Sequence, residues 1–275
     1  MKDLLVYLDG SFEDETRINQ AEALAGQHSA HLTGILCNAL PELTVTSAPV
    51  YASEDMILRL QKEAVAQGDR DHVALKERFQ KLVVPNELRR LDIISGQIGE
   101  TLASECRTAD AIIGTRLYGH DLANPEILET VLFESGSACL LAPPKMAPAS
   151  YDTVLIAWNN SSQAARAVLS ALPILQKAKN VIIVMVHKHE PPEYQQEAPG
   201  ADIAIHLSRH GISAEIEHLS GWHNPAEALL EEAKNRSADL IVMGGYGHSR
   251  FREWVLGGVT RDVLTSATIP ILLAH

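Results

Sequence analysis

Five short matches recur in the same order along the two halves of this 275-residue chain, and that repeat limits its fold more than its composition does. Ser95-Gly96 answers Ser220-Gly221, Ala109-Asp110 answers Ala238-Asp239, Tyr118-Gly119-His120 answers Tyr246-Gly247-His248, and Leu140-Leu141-Ala142 answers Leu272-Leu273-Ala274. The spacings are 125, 129, 128 and 132 residues, drifting as loop insertions make them drift. The fifth match pairs the apolar run Leu4–Leu8, which ends in Asp9-Gly10-Ser11, with Val154–Trp158, which ends in Asn159-Asn160-Ser161, at a spacing of 150. The length also suits two domains, because a single hydrophobic core seldom grows past the high two-hundreds. The proline-rich stretch Pro143-Pro144-Lys145-Met146-Ala147-Pro148 marks the seam, so the expected domains are 1–147 and 148–275. The larger first spacing places extra residues early in the first half, in the helical stretch Ser53–Leu82, whose counterpart is the shorter Asp202–His210.

Within the second half, Val154–Trp158 is a short apolar run stopped by turn and cap residues, so a strand is expected there and a helix after it. The helix is expected over Ser162–Leu175, with Pro173 kinking or breaking its end. Strands follow at Val181–Val186, Ala214–Leu219, Leu240–Met243 and Ile269–Leu273, with helices at Asn224–Asn235 and Val259–Ser266. Uninterrupted apolar strands alternating with amphipathic helices predict an α/β fold of two tandem doubly wound domains. Each would be an open five-stranded parallel sheet with helices on both faces. Ligands of such sheets lie beyond the carboxyl ends of the strands, where strand order reverses.

A formal charge of −12 repels phosphate backbones and anionic lipid headgroups, and no basic block offsets it, so neither nucleic acid nor membrane is an expected partner. The opening Met1-Lys2-Asp3-Leu4 meets a carboxylate before any secretory apolar segment develops, which places the expected location in the cytoplasm. Cys37, Cys106 and Cys139 lack metal or redox spacing and are expected as buried apolar residues.

The chemistry concentrates after the fourth strand of the second half, in Met243-Gly244-Gly245-Tyr246-Gly247-His248 and, after nine residues that follow Gly247, in Gly257-Gly258-Val259-Thr260. Glycines let successive N–H groups turn toward an anion, and the last helix opens at the same place with unpartnered N–H groups of its own. A phosphate-bearing ligand is the expected occupant. The other reading of these glycines is a tight strand-to-helix loop and nothing more.

In these residues the chain resembles the universal stress protein family, whose mark is G-x-x-G, nine residues, then G followed by Ser or Thr. Gly244, Gly247 and Gly257 fit it, and the resemblance covers nearly the whole chain as two tandem units. It implies ATP or a related adenine nucleotide as ligand, with or without Mg, and a stress-adaptation role, with pairing of the two units and of two chains into a homodimer. Carried over residue by residue, Gly244, Gly247, Gly257, Gly258 and Val259 would contact phosphates, Met243 the ribose, and Ala157, Asn159 and Val186 the adenine. The family's Ser or Thr after the third glycine is Gly258 here, with Thr260 as the nearby hydroxyl, and its acidic residue after the first strand is Asn159. The first half keeps Asp9-Gly10-Ser11 but reads Gly114-Thr115-Arg116-Leu117-Tyr118-Gly119-His120, with Glu126 near the place of the second glycine pair, and is expected to be an empty partner unit.

Two other function classes stand beside this one. A weak ATP-cleaving enzyme would need a base or metal-binding carboxylate, and no nucleophile elbow, Walker lysine or carboxylate pair falls on the sheet edge, so no catalytic residue is assigned. An interaction scaffold without nucleotide would fit Gly258 and Asn159. Twelve histidines raise metal binding, at His187 with His189 or at His206 with His210, but solvated surface histidines are the expectation and no metal site is assigned. His120 and His248 recur in matching loops as phosphate contacts or loop packing, and Arg250 and Arg252 could reach a terminal phosphate or pair with Glu253.

Overall fold

The computed structural model describes residues 1–42, 54–115, 125–143, 150–187, 200–246 and 258–275. Its first half runs β1 (Asp3–Leu8), α1 (Asp14–His28), β2 (His31–Leu40), α2 (Glu54–Phe79), β3 (Asn86–Ile94), α3 (Ile98–Cys106), β4 (Ala111–Thr115), α4 (Pro125–Glu134) and β5 (Ala138–Ala142). The second half repeats this as β6 (Thr153–Ala157), α5 (Ser162–Leu175), β7 (Asn180–His187), α6 (Ala201–Arg209), β8 (Ala214–Ser220), α7 (Pro225–Asn235), β9 (Leu240–Gly244), α8 (Gly258–Ser266) and β10 (Ile271–Ala274).

All strand pairs within each half are parallel, in the orders β3-β2-β1-β4-β5 and β8-β7-β6-β9-β10. These are the expected doubly wound sheets. They do not stand apart: β10 pairs antiparallel with β5, Leu272 opposite Leu140, and joins them into one ten-stranded sheet. The repeated Leu-Leu-Ala is therefore the seam itself. Because the halves run antiparallel across it, their carboxyl edges face opposite ends of the sheet.

One apolar layer fills each face, and both layers cross the seam. On one face Ile18 and Leu24 of α1, Phe79 of α2, Val168 of α5 and Leu207 of α6 pack on Leu4, Val6, Val154 and Leu272. On the other, Leu102 of α3, Val131 of α4, Leu229 of α7 and Val263 of α8 cover Leu5, Ile112, Leu155 and Leu273. Cys37, Cys106 and Cys139 are all buried.

The repeated Ala-Asp has a local reason. Asp110 accepts from the N–H groups of Lys2 and Asp3 at the start of β1, and Asp239 accepts from Thr153 N at 2.9 Å at the start of β6. Each aspartate ties the first strand of its half to the fourth. Helix α5 spans the expected Ser162–Leu175 with Pro173 inside it, and the amide that proline lacks would have served the carbonyl of exposed Leu169, which water can serve instead. One expectation is corrected. Strand β10 begins at Ile271, two residues after the expected Ile269, since Pro270 has no N–H for the ladder.

Candidate functional site

Strand order reverses between β6 and β9, so the crevice of the second half opens beyond Ala157 and Gly244. The turn after β6 is built by short polar side chains. Asn160 takes a left-handed conformation at φ 56°, Ser161 Oγ caps α5 by accepting from Ala164 N at 3.2 Å, and the same hydroxyl donates to Asn159 Oδ1 at 2.7 Å. Asn159 is thereby held with its oxygen engaged, which leaves its amide nitrogen as the group it can offer a ligand.

Ala157, Val186, Tyr246 and Val259 are half-buried along the rim of the core on the α7–α8 face. They come from β6, β7, the residues after β9, and α8, and line the carboxyl edge as an apolar ledge, from which Tyr246 reaches across the seam to Phe133 and Glu129 of α4. Beside it α8 starts at Gly258, which is exposed, and a Cβ added there would meet nothing within 4 Å. The first N–H groups of α8 lack intrahelical partners and belong to a helix packed on the same apolar layer, a combination suited to a phosphate joined to a flat aromatic base.

The expected residues do not all serve the same way. A Cβ on Gly244 would lie 2.5 Å from Ala164 N and 2.6 Å from Gln163 C, so this glycine is required by the close approach of β9 to the first turn of α5. Met243 is 4% exposed within the core, and Thr260 is 6% exposed, so both side chains are committed to packing. Gly247, His248, Arg250, Arg252, Glu253 and Gly257 lie outside the described residues, as do Arg116, Leu117, Tyr118, Gly119, His120 and His189.

At the first half's corresponding edge the described side chains bond to one another. By strand register Thr115 ends β4 where Gly244 ends β9. Its hydroxyl accepts from Arg17 Nη2 at 3.0 Å and donates to Glu13 Oε2 at 2.5 Å. Arg17, 3% exposed, places Nη1 2.9 Å from both Asp9 and Asp14, Nη2 2.8 Å from Glu13, and its guanidinium 4.9 Å over the Tyr7 ring. Asp14 in turn accepts from Gly10 N at 2.8 Å and Asp9 N at 3.2 Å. Three carboxylates thus share one buried guanidinium. Burial, and then the charge of Asp9, push the Asp14 carboxyl up to about 7 against the pull of Arg17. Burial works the same way on Asp9, but the Arg17 charge and the Ser11 hydrogen bonds overcome it and hold that carboxyl below its ordinary range. Sequence reasoning missed this cluster. Its signal is the spacing of Glu13 and Asp14 four and three residues before Arg17, which puts all three on one side of α1.

Residues 150–275, the whole second unit, match the universal stress protein family. A universal stress protein of Thermus aquaticus is 34% identical over 138 residues, covering 46% of this chain and 99% of that protein. The chain belongs to the universal stress protein family. A second family member, from Synechocystis, is 27% identical over 156 residues, 56% of this chain, which spans about half of that protein, 51%. The crystal structure of a universal stress protein from Archaeoglobus fulgidus has the same fold over 98% of this chain and 97% of its own, with a TM-score of 0.73 at 14% identity. As a universal stress protein this chain is a two-unit member whose carboxyl edges differ: one carries half-buried apolar residues and the glycine start of α8, the other an ion cluster around Arg17.

Among the described residues no helix is long and apolar enough to cross a membrane, and no group of three His, Cys, Asp or Glu is arranged to hold a metal.

Proposed function

We propose that the second unit holds an ATP-like adenine nucleotide and that the first unit serves as its pairing partner without binding nucleotide. Occupancy then regulates how this protein engages others during stress adaptation. The observation that supports this reading is that α8 starts at an exposed Gly258 on the same face of the sheet as the half-buried Ala157, Val186 and Val259, at the carboxyl edge where strand order reverses. The adenine would lie against the ledge with Asn159 at its polar edge, and the phosphates against the backbone of Gly244, Gly258 and Val259, with Gly247 and Gly257 completing the loop. Met243 and Thr260 contribute backbone position only, since their side chains are packed. Backbone donors suffice for a phosphate, each charge-assisted bond being worth roughly 1.5–3 kcal/mol.

The test is thermal unfolding with and without millimolar Mg-ATP, for the natural chain and Gly258→Glu. The added side chain enters open space, so the fold is kept, while its charge occupies the helix terminus meant for phosphate. Nucleotide at about a hundred times its dissociation constant should add about 2.7 kcal/mol to the natural chain. The variant should show no such gain. Equal stabilisation of both would move the nucleotide elsewhere, and no stabilisation of either would favour the scaffold reading.

A further inference from the structure

The carboxyl ends of β7 and β8 bring together two histidines that are 31 residues apart in sequence. Parallel pairing sets Met185 opposite His218 and His187 opposite Ser220. Residues 185 and 187 share one face of β7, so His187 and His218 stand diagonally on that face. It is the face covered by α5 and α6, the opposite one from the ledge described above. His187 Nε2 lies 3.0 Å from His218 Nδ1, the rings stack at 30° with centroids 5.2 Å apart, and the contact is exposed to solvent.

We propose that this pair is a binding site for a divalent late transition-metal ion of the Cu(II) or Ni(II) kind. Imidazole binds such ions at about 2.0–2.1 Å, so two nitrogens at a right angle on one ion are about 2.9 Å apart. The observed 3.0 Å is close to that separation, but the 5.2 Å between centroids shows the two nitrogens facing one another in a hydrogen bond, so binding turns the exposed rings until both lone pairs meet on one ion at the right angle that square-planar and tetragonal Cu(II) and Ni(II) adopt with nitrogen ligands. In the metal-free pair one ring donates its N–H to the lone pair of the other. On binding, that proton moves to the far nitrogen of its own ring, and both neutral imidazoles give a lone pair to the ion without net proton release. Exposure leaves the remaining coordination positions to water, and the chain's charge of −12 favours a cation. The site needs no nucleotide and lies on the other face of the sheet, so it stands or falls independently of the proposed function.

The experiment is titration of the full chain with Cu(II) in the absence of nucleotide, read by electron paramagnetic resonance and by calorimetry. His218→Asn, His187→Asn and His206→Asn are measured beside it. His206 and His210 on α6 form a second histidine pair, with ring centroids 4.8 Å apart, and serve as the control. One equivalent of copper is expected to give a tetragonal signal split by imidazole nitrogens. His218→Asn and His187→Asn should each weaken binding at least about tenfold and change the splitting, because losing a direct ligand costs no less than losing its supporting partner. His206→Asn should leave the signal unchanged. The proposal is overturned by a natural chain that binds no copper at micromolar concentration, by His218→Asn or His187→Asn binding as the natural chain does, or by a signal that follows His206 instead.

Discussion

Two glycines at the same edge separate packing from binding. Gly244 has backbone against it, so Gly244→Ala must push β9 from the first turn of α5, at a cost of about 1–3 kcal/mol read as a lower denaturant midpoint. Gly258 faces open space without a positive φ, so Gly258→Ala should leave the midpoint within about 0.5 kcal/mol or raise it by up to about 1 kcal/mol. Equal losses at both positions would contradict the distinction. Asp14 carries a pH signature. Its folded carboxyl titrates at about 7 against 3.8 for an ordinary one, so its contribution to stability is fully present below 3.8 and is lost as pH rises through about 7. Asn at this position has no proton to lose. Asp14→Asn should therefore gain on the natural chain between pH 4 and pH 8, by on the order of 2–4 kcal/mol. Melting of both proteins across that range checks it, and a constant difference would show that Asp14 keeps its charge throughout.

At the level of elements, the helix caps were legible in the sequence. Ser161 before α5 and Asn224 before α7 accept from Ala164 N and Ala226 N as turn chemistry predicts. Ser161→Ala should lose about 0.5–2 kcal/mol and loosen the Asn159 side chain that its hydroxyl holds, with the first effect read by denaturation and the second by weaker nucleotide binding. What sequence could not show is what depends on register. His187 and His218 meet only because β7 and β8 pair with a particular offset, and Gly244 reveals its packing role only when β9 is laid against α5. The Ala-Asp repeat was visible as a match, but its meaning, a carboxylate tying the fourth strand to the first, needed the sheet. The glycine spacing was read as a phosphate loop from Gly244 onward. Of that loop the described residues show a glycine that packing requires, Gly244, and one that it does not, Gly258.

At the scale of the whole molecule, β5 and β10 cover each other, and the outer strands β3 and β8 are blunted by charge. Arg90 pairs with Asp69 and Asp92 beside β3, and Arg236 holds Glu215 and Glu217 of β8 at 3.0 and 2.9 Å. The repeat foretold two units, but not that they would join as one continuous sheet. Since both apolar layers run through the seam, the halves should melt together, with a calorimetric enthalpy equal to the van't Hoff value. Two resolved transitions would show units that merely touch. The antiparallel seam also sends the two carboxyl edges to opposite ends, so the ledge of the second unit and the Arg17 cluster of the first cannot share a ligand. The most direct measurement is the stoichiometry of Mg-ATP binding to the full chain by calorimetry. One nucleotide per chain, lost in Gly258→Glu, is the expected result, whereas two per chain, or none, would contradict a single open edge.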